Sequence, residues 1–515
     1  MTKKAFRVHG VSNQLWNDDI APIPHEEQTW GPVQFCLVWM ALAVCIPTYM
    51  LASGLIVLGM SWKQALGTIL LGNVIVLVPI LLNSHAGTKY GIPFLVYARA
   101  SFGVRGAQVP AVLHGLVTCG WFGIQCWIGG LALFAILKLV VPSIAGNAVW
   151  YCFTAFWLLT MVVVLRGMET VRAIRLPVLL MMLVLIVGLA LLLWMVSRVG
   201  GVSAILASAA EFRPAAGLRP AATLQSALGW RPAALSGEGP PNFWVIFMPS
   251  LTGVIGFWAT VALNIPDLSR FARSQRAQVL GQAWGLPGAM TVYSLLAIAI
   301  TAVTVRLTPG HRAIWNPIEI IAGFPQPFVA VLGLAIVAVA TLVYNVKLNV
   351  AGPSQAFSNL RPNLISLRTG GLIAGLLGVC CAPWLLIADP ERYIFGWLIG
   401  YSGLLGPVAG VMIVDYFIVR RRALDVESLY VRGGQYEYTS GFNKKAMTAW
   451  SVGAIVALVG LFVSQLHALY AAAWLAGFGT AALAYLVLMS GPPEIAAIPP
   501  TPLLIPIGEF EGEGA

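Results

Sequence analysis

The sequence predicts an all-α polytopic membrane protein, and three observations carry that prediction. Of its 515 residues, 59% are hydrophobic and only 10% are charged, whereas soluble domains devote about a quarter of their residues to charge. Twelve apolar runs are long enough to cross a hydrocarbon core about 30 Å thick. Two of those runs carry helix breakers at mid-membrane depth. The mean hydropathy of +0.84 agrees.

Taken in order, the N-terminus from Met1 to Trp30 is polar and holds no short apolar stretch before a small-residue cleavage site. No removable signal peptide is expected, and the first span must direct insertion itself. Spans are expected at 33–57, 65–84, 107–140, 148–165 and 176–197, all free of acidic residues. A second set follows at 243–264, 284–306, 327–360, 370–388 and 393–419, and a last pair at 447–465 and 468–490. Twelve spans put both termini on one side. If that side is the cytoplasm, 20 Lys and Arg fall in inside segments against nine outside, so both termini are expected in the cytoplasm of a cell (inner) membrane protein.

The connectors are less informative. Residues 200–242 repeat Arg-Pro-Ala-Ala at 213–216, 219–222 and 231–234, which reads as a low-complexity external insertion. The tail from Gly491 is rich in proline and ends in Glu509, Glu511 and Glu513, so a disordered cytoplasmic segment is expected. The net charge of +11 is scattered between apolar runs rather than along one polar face, which fits membrane topology and not nucleic acid. Seven cysteines fall almost wholly within apolar runs and form no CxxC, so neither a metal site nor a disulfide framework is implied. No cofactor is implied either. HExxH and GxSxG are absent from any plausible context and the spans lack acid/base pairs, which excludes most enzyme classes.

The first span contains Cys45-Ile46-Pro47-Thr48; the sixth contains Gly253, Gly256 and then Asn264-Ile265-Pro266-Asp267. One such break is an ordinary proline kink as readily as a functional device. Two at corresponding places five spans apart point to inverted repeats around a central site. The eighth run carries Lys347, which follows twenty uncharged residues. It lies about 21 Å along a helix from Arg361, well inside the hydrocarbon core, where an ionisable group usually marks a transport pathway.

Several strings resemble the nucleobase:cation symporter-1 family of secondary transporters, which includes hydantoin, allantoin, uracil and cytosine permeases. They are Asn17-Asp18-Asp19-Ile20-Ala21-Pro22, Trp30-Gly31-Pro32, Gly87-Thr88-Lys89-Tyr90-Gly91-Ile92-Pro93-Phe94, Gly120-Trp121-Phe122-Gly123-Ile124-Gln125, Asn264-Ile265-Pro266-Asp267-Leu268-Ser269-Arg270, Asn345 with Asn349, and Leu405-Gly406-Pro407 followed by Asp415-Tyr416-Phe417. Together they cover nearly the whole chain. The resemblance implies a LeuT-like 5+5 inverted repeat plus two C-terminal helices and alternating access. The expected organisation is a cytoplasmic segment 1–32, a first five-helix repeat 33–197, an external loop insertion 198–242 and a second repeat 243–420. A cytoplasmic loop 421–446, two accessory helices 447–490 and the tail 491–515 complete it.

Trp121 and Gln125 are i and i+4 and share a helix face, an indole beside an amide that donates and accepts. Alone, such a pair equally suits a packed core. In hydantoin-type members of the family the matching tryptophan and glutamine stack on and hydrogen-bond the substrate. Trp258 matches a second stacking tryptophan and Asn349 a second substrate-binding amide, with Asn345 one turn earlier placed to support it. The resemblance therefore implies a cyclic ureide or pyrimidine held between two indoles, with its imide edge read by Gln125 and Asn349. Cys45 departs from the pattern, since hydantoin-type members can place a glutamine there. The loss leaves the exact ring open among uracil, allantoin and hydantoin types.

Sodium-coupled members hold the ion with carbonyls of the first helix and with a carbonyl and two hydroxyls of the eighth. The matching positions are Ala41 and Val44, then Ala340, Val343 and Tyr344, so two small hydroxyls have become valine and a bulky phenol. At 100° per residue Lys347 falls on the stripe of Ala340, Val343 and Tyr344. The lysine ammonium is expected to occupy the ion position and couple transport to protons, or to make it independent of sodium. The alternative is a structural lysine that snorkels to an inward vestibule. His114, seven residues before Trp121, can face the same cavity, though a packed histidine serves as well. A sodium-coupled permease for cytosine, purines or a vitamin precursor is the second reading of the whole. A substrate-gated channel or a transceptor is the alternative of another class. The expected partners are the heterocycle, a coupling proton or sodium, and the lipid bilayer.

Overall fold

Lipid offers no partner to a backbone amide, so each apolar run must close its hydrogen bonds within itself as a helix. The computed structural model describes residues 15–16, 20–166, 175–199, 201, 243–308, 313–360 and 364–490. Among these there is no strand, only isolated bridges joining Trp30 to Ala272 and Thr439 to Phe442. The expected tail 491–515 and nearly all of the expected insertion 198–242 lie outside the described residues, as do residues 1–14 and 17–19.

The first span is two helices, α1 (Pro32–Ala43) and α2 (Ile46–Val57), meeting at 62°. Then come α3 (Trp62–Tyr90), a short α4 (Phe94–Phe102), the long α5 (Gln108–Val140), α6 (Ala148–Arg166) and α7 (Arg175–Val199). The sixth span is also interrupted, into α8 (Phe243–Phe257), α9 (Ala259–Asn264) and α10 (Pro266–Ser269). α11 (Gln275–Leu307), α12 (Pro317–Ala322) and α13 (Pro327–Asn349) follow, and α14 (Ala351–Leu360) continues α13 across a break at Val350. α15 (Leu367–Cys380) and α16 (Pro383–Leu386) lead into α17 (Ile399–Val414), which is flanked by π turns over Arg392–Leu398 and Asp415–Val419. α18 (Lys444–Leu458), α19 (His467–Ala471) and α20 (Ala473–Met489) complete the chain.

Eight helices are long and apolar enough to span, or ten if each bent pair is one span, among the described residues. Two shorter apolar helices, Phe243–Phe257 and Leu367–Cys380, add to these. Proline and glycine breaks shorten individual segments, so length alone undercounts the apolar runs. Large apolar side chains such as Val78, Trp284, Val292, Phe328 and Ile455 stand exposed on the outer faces, as lipid contact requires and water would penalise.

The broken segments sit inside. α1 packs chiefly on α11, α5 on α13 and α6, and α17 on α20. The chain before α1 pairs with the chain after α10: Trp30 N donates to Phe271 O at 2.8 Å and Arg273 N to Trp30 O at 3.0 Å. Close approach of α5 and α15 rests on Gly123, where an added Cβ would lie 2.1 Å from Gly378 O.

At the end of the bundle that carries α4 and α10, charges are locked into the protein. Asp415 is fully buried and pairs with Arg420 at 2.7 Å, while accepting from Ser101 Oγ at 3.0 Å and Tyr485 Oη at 2.8 Å. Arg420 also donates to Ala100 O at 2.7 Å and to the Tyr438 hydroxyl. Asp267 accepts the backbone amide of Phe94 at 2.8 Å. Both carboxylates near span ends are thus structural ties between α4 and its neighbours.

Candidate substrate site

The break in the first span is set by sequence. Pro47 has no amide hydrogen and suits the first turn of a helix; α2 begins at Ile46, with Cys45 extended at φ −143°, ψ 163°. The amide of Cys45 turns to Ala43 O at 3.0 Å, and that of Val44 reaches Met40 O at 3.2 Å. Ala41 O thereby loses the i+4 donor that a continuous helix would give it. Val44 O is likewise left out of the ladder at the head of α2.

This break faces a small cavity walled by Val44, Cys45 and Ile46 from the first span, Gln125 from α5, Val184 from α7, and Val337, Ala340, Thr341 and Tyr344 from α13. Its free interior of about 10 Å³ is room for about one water molecule. Gln125 is buried and makes no hydrogen bond with the described residues. Thr341 brings a hydroxyl, likewise uncommitted. Cys45 Sγ meets Thr48 Oγ1 at 3.3 Å.

Trp121, one turn before Gln125, is 8% exposed and ringed by aromatic edges. Phe257 is 5.4 Å away, Trp397 6.1 Å, Tyr393 6.3 Å and Tyr401 6.4 Å. The ring beside it on the broken sixth span is therefore Phe257. Trp258, the non-helical residue between α8 and α9, donates its indole N–H to Asn73 Oδ1 at 2.8 Å and sets its ring against Trp39 and Phe257. The two indoles are not in ring contact in this conformation. Tyr393, Trp397 and Tyr401, spaced four apart on one helical face, were the signal in the sequence for the rest of this cluster.

Asn345 is fully buried; its Nδ2 donates to Phe122 O at 3.1 Å and to Cys126 Sγ at 3.3 Å, while Asn349 Nδ2 donates to Asn345 Oδ1 at 3.0 Å. The support of Asn349 by Asn345 is a direct hydrogen bond. Asn349 itself does not line the cavity.

Of the six ion-position residues, the structure brings Val44, Ala340 and Tyr344 to the cavity wall. Ala41 and Val343 are buried and do not line it. The Tyr344 hydroxyl is committed to Pro177 O at 3.0 Å. Lys347 is half-buried in the last turn of α13, outside the wall, and has no ion pair or hydrogen bond among the described residues. His114 packs against the Phe94 ring at 5.7 Å and is not part of the wall.

Helix breaks that expose carbonyls beside an uncommitted amide, in a bundle sheathed by apolar side chains, define a multi-pass membrane transport protein. The chain belongs to the family described as permease for cytosine/purines, uracil, thiamine, allantoin, whose model matches residues 22–477. That family consists of permeases, not enzymes. The allantoin permease of Bacillus subtilis is 36% identical over 95% of this chain and 96% of its own length. The purine-uracil permease NCS1 of Arabidopsis thaliana is 34% identical over 91% and 76%. The fold is shared with Mhp1 in its inward-facing conformation, at a TM-score of 0.76, 23% identity and coverage of 93% and 94%.

Proposed function

We propose that this protein is a secondary active transporter that imports a small planar nitrogen heterocycle of the uracil, allantoin or hydantoin type by alternating access. The observation that carries the reading is Gln125: a buried amide with no hydrogen-bond partner among the described residues, one turn from an aromatic-ringed Trp121, in the cavity that the break at Val44 also lines. A planar imide offers the N–H and C=O edge such an amide matches, and a ring face for the indole. Relatives named as purine-uracil, allantoin and hydantoin permeases support the substrate class. Asn349 reads the imide edge with Gln125, Asn345 holds it, and Trp258, anchored by Asn73, closes over the ring as the site opens.

In this reading twelve spans form the two five-helix repeats 33–197 and 243–420 with 447–490 as accessory helices, and both termini face the cytoplasm. Lys347 supplies the positive charge at the ion position. Its side chain leans toward the N-terminus of α13, over the turn that holds Val343 and Tyr344. Transport is then proton-coupled or independent of sodium.

Sodium coupling is the second reading, favoured by one observation: the Thr341 hydroxyl and the released carbonyls of Ala41 and Val44 are oxygen ligands of the kind a hard cation takes. A thermal-shift panel on the purified protein separates the two, because a specific ligand stabilises the folded state by mass action. Uracil, allantoin, hydantoin, cytosine and purines are each added with and without sodium. Stabilisation by uracil, allantoin or hydantoin in sodium-free buffer is expected. Stabilisation only with sodium overturns the ion assignment, and a response only to cytosine or purines overturns the substrate class.

A further inference from the structure

Tyr293, midway along α11, is 4% exposed. A buried phenol is ordinarily hydrogen-bonded. Other buried tyrosines obey: Tyr49 meets Thr301 Oγ1 at 3.3 Å, Tyr344 donates to Pro177 O at 3.0 Å, Tyr393 to Pro47 O at 3.0 Å and Tyr401 to Gly256 O at 2.7 Å. Tyr293 has no hydrogen-bond partner among the described residues, and its oxygen is not among the fully enclosed unpaired atoms. It is a donor held in the core with free space before it.

That space adjoins the candidate site. α11 runs along the broken first span, Gly285 packing on Cys36 and Trp39 and Thr301 Oγ1 meeting Tyr49 Oη at 3.3 Å; Tyr293, midway between those contacts, falls beside the break at Cys45, which lines the cavity. Tyr293 is not in the cavity wall itself at its present size, which admits about one water. A heterocycle entering beside Cys45 must widen the space, and the side carrying Cys45 is poor in strong donors. A thiol donates weakly, and the Thr48 hydroxyl is already engaged with it.

We propose that Tyr293 is a specificity-determining residue whose phenol O–H donates to a ring carbonyl oxygen of the bound heterocycle on the Cys45 side of the pocket. Gln125 reads one edge of the ring and Tyr293 the opposite carbonyl. This rests on the transport reading above and narrows it to rings with carbonyls on two sides, such as uracil and hydantoin.

The test compares purified wild-type protein with Tyr293→Phe, which deletes one oxygen and keeps the ring. Ligand-induced thermal shift and uptake are measured with uracil, hydantoin and their thio-analogues, in which sulfur is a poorer acceptor. Tyr293→Phe should bind uracil or hydantoin about tenfold more weakly, lose the preference for oxygen over sulfur, and keep the ligand-free melting temperature. Equal affinity in wild type and variant overturns the inference while leaving the transport reading intact. A lowered ligand-free melting temperature with the oxygen preference retained makes the hydroxyl structural and also overturns it. A wild-type protein that answers to none of these rings overturns the transport reading, and the inference with it.

Discussion

Asn349 donates its side-chain amide to Asn345 Oδ1 at 3.0 Å, and Asn345, fully buried, spends its own amide on Phe122 O and Cys126 Sγ of α5. One residue is the anchor and the other the reader. Replacing the anchor leaves the Phe122 carbonyl short of a donor and opens a gap. Asn345→Ala should cost about 2 kcal/mol of stability and weaken substrate binding, whereas Asn349→Ala should weaken binding with little loss of stability. Thermal unfolding in detergent, with and without ligand, separates the two.

Trp258 is held by Asn73 through a 2.8 Å bond from its indole N–H. Asn73→Leu leaves that donor unpaired in a buried site, a loss of about 1–3 kcal/mol. The freed indole should also weaken ligand binding if it closes over the ring. Unchanged ligand affinity in Asn73→Leu would leave Trp258 a packing residue and Phe257 the aromatic that matters beside Trp121.

Gly120 lets Trp397 lie across α5: an added Cβ would sit 2.2 Å from Trp397 Cη2. Gly120→Ala must push Trp397 aside and with it the edge that packs on Trp121. Overpacking of this kind costs about 1–3 kcal/mol. The expected result is a lower melting temperature together with a raised KM; a raised KM is not expected for Gly453→Ala, where the crowding falls on Ala481, Gly477 and Pro407.

The buried pair Asp415–Arg420 should respond asymmetrically. Asp415→Asn strands a guanidinium in the interior and is expected to cost about 3–5 kcal/mol. Removing both charges as Asp415→Asn with Arg420→Met should cost less than the sum of the single changes. A double-mutant cycle on unfolding midpoints measures that coupling.

Much of the fold is legible because lipid imposes one rule on every apolar run, and each expected run coincides with helix in the described residues. The breaks at Cys45–Pro47 and at Gly256–Pro266 are legible for the same reason: proline and glycine act locally. What helical spacing could not reveal is which polar group is already spent. Asn345 and Asn349 look alike on a helix, yet the partners that spend the Asn345 amide lie on α5, more than two hundred residues away in the chain. Trp258 follows the Gly253/Gly256 break, but its indole bonds Asn73 and packs on Trp39 and Phe257, with no ring contact to Trp121. Thr341, one residue from Ala340, gives no signal in the sequence because its importance depends on the cavity it faces. The Asp415 network is similarly a product of α4 and α20 closing on one carboxylate.

Lys347 carries a positive charge in the last turn of α13 without a protein partner among the described residues. Lys347→Met removes the charge and keeps the stem. It should abolish the pH dependence of uptake while leaving ligand binding partly intact. Unchanged pH dependence would make the lysine a snorkelling residue with no part in coupling.

Uptake by the purified protein in sealed proteoliposomes, with uracil, allantoin or hydantoin outside and sodium absent, tests the central claim most directly. Saturable uptake that shows counterflow and rises with an inward proton gradient or proceeds without any ion gradient is the predicted result. Uptake that appears only when sodium is supplied, or flux that grows linearly without saturating, would contradict it.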